Sequence, residues 1–407
     1  MNDRRSIPLA LYAHLPWCVR KCPYCDFNSH ARPAAGIPRR QYVAALLEDL
    51  ELAAGDAAGR EISSVFFGGG TPSLFHADSI GALLEGARAL LPVARTLEVT
   101  LEANPGTIER GAFTAYRDAG VTRVSLGAQS FDDDRLAALG RIHSRTEIVA
   151  AVQELRSAGL DNFNLDLMYG LPRQTVDEAL RDVETAVALG PAHLSHYQLT
   201  LEPGTAFERR PPPLPDEDTV FAMQEACQDR LAAAGYRQYE VSACALSGSE
   251  CRHNLNYWRF GDYLGVGAGA HGKVTDLVTG RVRRTVRVRQ PGLYLAAAQP
   301  HDRIAEERRV AADDLAFEFM LNALRLVDGF EPALFEERTG RPWSSVAELA
   351  AVARDRGLLE RTPSGRWAAT ARGRLFLNDL QEVFLPPAAA SAGRGSLAGT
   401  GREGARS

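Results

Sequence analysis

The sequence lacks any run of about 18 consecutive apolar residues, the length a membrane span needs, so no transmembrane helix is expected. Its start, MNDRRSIPLALYAHLP, has no apolar stretch ending at a small-residue cleavage site, and neither end carries a lipidation motif. The expectation is therefore a cytoplasmic protein in a reducing environment, which disfavours disulfides. Lysine is nearly missing: only Lys21 and Lys273 occur among 46 basic residues. Arginine suits planar anions such as carboxylates, but here it is spread along the whole chain and reads as a compositional bias. Positive charge is not in excess either. The net charge of −5 argues against a dedicated nucleic-acid binder, and no nucleic-acid partner is expected. With 407 residues, 45% hydrophobic and 24% charged, the chain has room for one large globular domain and a smaller one.

Cysteine is scarce and unevenly placed. Of six, Cys18, Cys22 and Cys25 fall within eight residues of YAHLPWCVRKCPYCDFNSH, residues 12–30. A closed zinc site takes four ligands, usually as two C-x2-C halves, and no partner pair stands at suitable spacing. Three thiolates on one loop suit a [4Fe–4S] cluster with one iron left without a protein ligand. Cys227 lies in a helical stretch and reads as a buried hydrophobe. Cys244, Cys251 and His253 lack a fourth ligand and make a weak metal site.

Short apolar runs recur, each followed by a helix-like segment. The strand candidates are LALYAHL (9–15), SVFFGGG (64–70), EVTLEAN (98–104), RVSLGAQ (123–129), NFNLDLMYG (162–170) and HLSHYQL (193–199). RQYVAALLEDLELAA (40–54) and RTEIVAAVQELRSAG (145–159) read as amphipathic helices. Alternation of this kind implies a parallel sheet with right-handed crossovers, in an open or closed barrel. Glu102, Gln129 and Asp166 fall at strand C-termini, where barrel active sites are built. PPPLPDED (211–218) ends the array, and VTGRVRRTVRV (278–288) reads as a hairpin. GVGAGAHG (265–272) contains G-x-G-x-x-G, but β-like sequence follows it and no acidic residue stands ~20 positions on, so a dinucleotide fold is excluded. From about Asp313, two helices and a hairpin read over LLERTPSGRWAAT suggest a winged-helix-like module. Its wing charges, Glu360, Arg361 and Arg366, are mixed in sign, which favours packing over DNA binding. The final PPAAASAGRGSLAGTGREGARS has nothing to bury and reads as disordered.

The cysteine loop directly after the first strand resembles that of radical S-adenosylmethionine proteins, and the likeness extends over residues 7–385. It implies an α/β fold: a partial (β/α)6 radical-SAM barrel with an α+β C-terminal winged-helix-like domain. The expected divisions are a barrel core at 1–210, an extension at 211–305, the C-terminal domain at 306–385 and a disordered tail at 386–407. In that superfamily the unique iron is chelated by S-adenosylmethionine, and the reduced cluster cleaves the sulfonium to a 5′-deoxyadenosyl radical. The resemblance places Tyr24 near the adenine and the GGGTP run (68–72), with Gly69, Gly70 and Thr71, at the methionine part. In the coproporphyrinogen III oxidase-like branch, Tyr12, Glu102, Gln129, Arg141 and Asp166 match positions that hold S-adenosylmethionine. Carboxylates suit ribose hydroxyls and the amino group, and Arg141 suits the methionine carboxylate. The segment at 265–272 would back the cofactor pocket.

Two groups of this branch differ at readable positions. The oxygen-independent oxidases decarboxylate two propionates of a porphyrinogen, and carry a fourth cysteine two residues after the third and a longer N-terminal segment. Here Phe27 stands at that place and 11 residues precede Tyr12. The chain instead resembles heme chaperones of the HemW type, with phenylalanine there and an HNxxYW motif, present as HNLNYW at 253–258. The resemblance implies heme as a cofactor, a heme-accepting partner protein and no decarboxylation; a homodimer is a further expectation. His253 offers an axial imidazole, while Tyr257 and Trp258 offer flat apolar faces. Cys251 is the second choice of ligand. No C-x-x-C-H run exists, so c-type attachment is excluded. The motif is expected at the mouth of the barrel or in the segment adjoining it. The competing readings are the oxidase and a DNA-linked regulator.

Overall fold

A computed structural model describes residues 7–107 and 111–386; the tail expected to be disordered lies, from residue 387, outside the described residues. Six strands follow the expected runs closely: β1 (Leu9–Leu15), β2 (Ile62–Gly69), β3 (Val93–Ala103), β4 (Arg123–Gln129), β5 (Phe163–Tyr169) and β6 (His193–Gln198). They pair in parallel, in sequence order, with helices in the crossovers: α1 (Arg39–Ala54), α2 (Ala77–Leu90), α3 (Ala112–Asp118), α4 (Arg145–Ser157) and α5 (Val176–Ala188). Local sequence sets the helix starts. Ser144 with Glu147, and Thr175 with Glu178, form reciprocal capping boxes that satisfy the first free N–H groups of α4 and α5. After PPPLPDED, Asp216 caps α6 (Glu217–Ala233) by accepting from the Thr219 N–H.

The sheet extends beyond the six units at both ends. On one side β6 is followed by β8 (Ala243–Ala245) and β7 (Arg237–Glu240), both antiparallel. On the other, β1 pairs in parallel with β9 (Asp262–Val266), then β10 (His271–Thr275), β11 (Val282–Arg287) and β12 (Ile304–Arg309) continue antiparallel. The stretch at 278–288 is thus the end of a turn plus the single strand β11, not a complete hairpin. Val278 and Thr279 donate their backbone N–H groups to the Asp276 carboxylate, which fixes the turn before β11. Between β9 and β10, Gly267 and Gly269 take positive φ, and a turn rather than a dinucleotide-binding helix follows.

Successive strand residues face opposite sides. One row, including Leu11, Val65, Val99, Leu126, Leu165 and Leu194, packs into the apolar core that also takes the buried faces of α1, α2, α4 and α5. The alternate row is polar: Tyr12 and His14, Ser64, Glu98 and Glu102, Arg123 and Ser125, Asn164 and Asp166, Ser195 and Tyr197. A polar inner row in buried parallel strands marks a ligand-binding face.

Among the described residues the chain forms two compact units: residues up to Tyr257 together with Gly261–Arg309, and Trp258–Phe260 together with the residues from Val310 onward. The second unit holds α8 (Asp314–Ala323), α9 (Pro332–Thr339), α10 (Ala347–Asp355) and an antiparallel pair, β13 (Leu359–Arg361) with β14 (Trp367–Ala369). Its core is aromatic: Phe319 meets Phe330 and Phe335 edge to face, with ring centroids 5.1 and 5.2 Å apart, and Trp343 meets Phe335 at 5.6 Å. Helices followed by a short hairpin give the winged-helix-like arrangement. No helix among the described residues is long and apolar enough to cross a membrane.

Candidate cofactor pocket

The chain leaves β1 through Pro16 into the cysteine loop, which is closed at its base. Trp17–Cys18 pairs in parallel with His30–Ala31, and the His30 N–H donates to Pro16 O at 2.7 Å. Buried Trp17 anchors the closure edge to face on Tyr42, at 4.7 Å between centroids. Asn28 ties the loop to the glycine segment after β9, donating to Ala268 O at 2.8 Å and to Arg289 O at 2.9 Å. That segment therefore backs the loop. Each cysteine sulfur has a polar neighbour. Thr71 Oγ1 donates to Cys18 Sγ at 3.4 Å, an Arg141 guanidinium N–H donates to Cys22 Sγ at 3.5 Å, and the Ser29 hydroxyl lies 3.7 Å from Cys25 Sγ. Burial pushes the Cys18 and Cys25 thiols above their ordinary range, opposed by the hydrogen bonds from Thr71 and Ser29 respectively. Thiolates in this loop thus need a counter-charge, which a cluster of iron ions would supply.

Eight more of the residues singled out by sequence stand around those sulfurs. Tyr24, Gly69, Gly70, Thr71, Glu102, Gln129, Arg141 and Asp166 line one pocket with the three cysteines. Tyr12 lies beside this pocket, not on its wall, and its hydroxyl is 3.0 Å from His14 Nδ1. His253 lies below it, as described further on. Glycine is required where β2 ends. The Gly70 N–H donates to Leu15 O at 2.9 Å, and a Cβ on Gly70 would stand 2.5 Å from the Trp17 carbonyl oxygen. Gly69, at φ 118°, turns its N–H onto Glu102 Oε2 at 3.0 Å. Gln129 is the strained residue of the site. A register shift at the end of β4 leaves it at φ 63°, and its buried Oε1 has no hydrogen-bond partner. An orphaned acceptor, a bare glycine edge and two carboxylates in one pocket fit a ligand that brings hydroxyls and an ammonium group.

The two carboxylates repel. Burial, then the charge of Asp166, pushes Glu102 up to about 8, against the Gly69 N–H that favours its ionised form. Burial likewise raises Asp166, opposed by hydrogen bonds from Asn164 and Ser195. The stabilisation carried by protonated Glu102 is complete below its unfolded value of 4.5 and is lost as pH rises through about 8. Glu102→Gln should therefore stabilise the ligand-free protein by ~2 kcal/mol at pH above 8 and by almost nothing below pH 5. Thermal melts of both proteins across that range check this; a pH-independent difference would refute it.

The HNLNYW segment forms α7 (Arg252–Trp258) below the pocket, against the inner face of the sheet, and not at its mouth. Glu98 of β3 receives its first N–H groups, from Arg252 at 3.2 Å and His253 at 3.1 Å, and also takes the Cys251 thiol at 3.7 Å. His253 is 1% exposed. Its Nδ1 is 3.0 Å from Ser64 Oγ and its Nε2 is 2.9 Å from the Tyr257 hydroxyl, so both ring nitrogens are engaged. Burial pushes the imidazole down to about 3, keeping it neutral. The ring lies 5.0 Å from Phe66, which stacks on Tyr12 at 6.2 Å. Tyr257 meets Tyr263 edge to face at 4.5 Å. Trp258 is grouped with the C-terminal unit, where the Arg325 guanidinium sits 4.3 Å from its ring centroid. Cys251 is fully buried.

Residues 12–186 match the Radical SAM superfamily, and residues 310–376 match the HemN C-terminal domain. The chain is 47% identical to the heme chaperone HemW of Escherichia coli (strain K12), over 93% of this chain and 98% of that protein. To the heme chaperone HemW of Haemophilus influenzae it is 46% identical, at the same coverage of both chains. The chain belongs to the HemW family. It is 38% identical to the HemW of Mycobacterium tuberculosis (strain H37Rv), over 93% of this chain and 95% of that one. Among solved structures it resembles coproporphyrinogen III oxidase (HemN) from Escherichia coli, a radical SAM enzyme, with a TM-score of 0.78 over 93% of this chain and 90% of that one. At 22% identity that likeness speaks for the fold alone.

Several pocket residues of this HemW-family chain were not anticipated from sequence. Ser125 and Tyr197 line the pocket on the polar inner row, two positions from Gly127 and from Ser195, so their period-two spacing was a usable signal. Ser29, beside Cys25, offered none. Phe27, which stands where the oxidase pattern has its fourth cysteine, lines the pocket edge and is 63% exposed.

Proposed function

We propose that this chain is a heme chaperone that carries a [4Fe–4S] cluster and S-adenosylmethionine and delivers heme to an acceptor protein. The full-length likeness to curated heme chaperones carries the reading. The pocket supports it, because three cysteines share one cavity with residues suited to a charged nucleoside ligand. Cys18, Cys22 and Cys25 would hold the cluster, with Thr71, Arg141 and Ser29 steadying the sulfurs. A bound cluster with S-adenosylmethionine supplies one-electron chemistry at the sulfonium. Glu102 and Asp166 would accept from the amino and ribose groups, Gly69 and Gly70 would let the backbone approach, and Gln129 would use its free oxygen. Tyr24, packed near Phe207 at 6.4 Å between centroids, would wall the adenine side. Tyr12, beside His14 and Phe66, would support the cofactor from the first-strand side of the pocket.

Arg141, which donates to Cys22 Sγ at 3.5 Å and to Gly127 O at 3.1 Å, would serve both the cluster and the methionine carboxylate of the cofactor. Heme would engage α7 through His253, with Tyr257 and Trp258 alongside. Six free cysteines suit a reducing cytoplasm. The test is anaerobic reconstitution followed, on one sample, by heme titration and a coproporphyrinogen III assay. Heme should bind near stoichiometrically, with no protoporphyrinogen IX formed above background. Turnover with S-adenosylmethionine and a reductant would replace this reading by the oxidase.

A further inference from the structure

Below the pocket, the inner face carries buried polar side chains that neither the cluster nor the cofactor reading uses. Asn164 stands two residues before Asp166 on β5, on the same face. Its amide orientation is fixed, because the backbone N–H of Ser195 meets Oδ1 at 2.9 Å and only an oxygen accepts there. The amide nitrogen then donates to Asp166 Oδ1 and to Ser125 Oγ, both at 2.7 Å. His193 Nδ1 lies 2.7 Å from the same Asn164 oxygen, so Nδ1 carries the imidazole proton. That leaves Nε2 as an acceptor, and the Tyr239 hydroxyl, 2.8 Å away, donates to it. The Tyr239 oxygen accepts in turn from the backbone N–H of Cys251 at 3.4 Å, one residue before α7.

Every donor in this series points the same way, from Cys251 through Tyr239, His193 and Asn164 to Asp166. Asn164, His193, Tyr239 and Cys251 are all buried, so water has no access to replace a broken link. Burial and the nearby Arg123 charge keep His193 neutral, which is the form the series requires.

We propose that Asn164, His193 and Tyr239 are positioning residues that couple Asp166 in the cofactor pocket to the start of the HNLNYW helix. The proposal rests on reading that pocket as the S-adenosylmethionine site. Hydrogen bonds in a dry chain polarise one another, so a ligand that draws on the Asp166 carboxylate changes the strength of each link behind it. The far end of the series is a backbone N–H at the entry of α7, beside the Glu98 carboxylate that holds the next two N–H groups. A ligand at Asp166 thereby alters how firmly α7 is seated, and by reciprocity a change at α7 alters affinity in the pocket.

The experiment is amide hydrogen exchange on anaerobically reconstituted protein, with and without S-adenosylhomocysteine, alongside the affinity for that compound. In the parent protein the compound should slow exchange across Cys251–Tyr257 by about fivefold or more. Tyr239→Phe keeps the ring and removes the hydroxyl; it should bind the compound within about threefold of the parent but lose the change at α7. Asn164→Asp breaks the series at its other end, placing a second carboxylate against Asp166, and should lower affinity about tenfold or more. No binding by the parent would overturn the reading of the pocket itself. Binding without a change at α7, or an undiminished change in Tyr239→Phe, would overturn the coupling alone.

Discussion

Alanine at any one of Cys18, Cys22 or Cys25 will leave the chain without a full complement of iron and sulfide after anaerobic reconstitution. Cys227→Ala will load like the parent. The three sulfurs line one pocket, whereas the other three cysteines, Cys227, Cys244 and Cys251, are buried and do not line it. A lost thiolate therefore has no substitute, and a second iron becomes exposed to exchange with solvent. Cys227 is fully buried in α6 and packs in the apolar core, so its loss costs packing only. The neighbours of the sulfurs should grade below this. Removing an outer-shell donor such as Thr71, by Thr71→Val, costs on the order of 10–100-fold in affinity or activity where such groups have been removed from metal sites. Full loading in all three cysteine variants would end the cluster assignment, and full loading in one would point to a ligand from elsewhere in the pocket.

The parts of this site that the sequence announces are those where one local rule dominates. NFNLDLMYG alternates polar and apolar residues inside a run bounded by turn signals, so both strand and inward-facing Asp166 follow from period two. Ser144 and Glu147 place the start of α4 at Arg145 by capping alone. The start of β3 is five residues earlier than EVTLEAN suggests, because ARTL lacks alternation and is recruited by pairing, with Val93 beside Ile62. Gln129 was legible as a residue at a strand end, but its positive φ was not, since the bulge arises from the β4–β5 register. The strands beyond the six-unit array were harder still. β11 is a strand between two antiparallel partners, which its alternation alone does not distinguish from one arm of a hairpin. The burial of His253 depends on Ser64, 189 residues away, and on Glu98, 155 residues away. No local pattern encodes such contacts.

That burial makes the second large prediction sharper than motif matching allows. If His253 is the axial ligand of heme, binding must break at least one of its bonds, to Ser64 Oγ or to the Tyr257 hydroxyl, because both ring nitrogens are engaged. A net hydrogen bond is worth about 1 kcal/mol, so each acts as a brake on ligation. Ser64→Ala should then tighten heme binding by up to about fivefold, whereas His253→Ala should weaken it and move the Soret band. Binding to His253→Ala should fall without vanishing, since Tyr257 and Trp258 retain stacking worth on the order of 1 kcal/mol per ring. The imidazole is held neutral by burial, down to about 3, so the ligating form is already present at physiological pH and affinity should not rise between pH 6 and pH 8 through this group. Iron and sulfide content should be unchanged in both variants, because neither residue touches the cysteine loop. Parallel heme titrations with cluster analysis decide the matter. An unaltered Soret position in His253→Ala, with Ser64→Ala binding no tighter than the parent, would leave His253 as the pin of α7 and transfer the ligand assignment to Cys251, whose thiol would first have to leave Glu98.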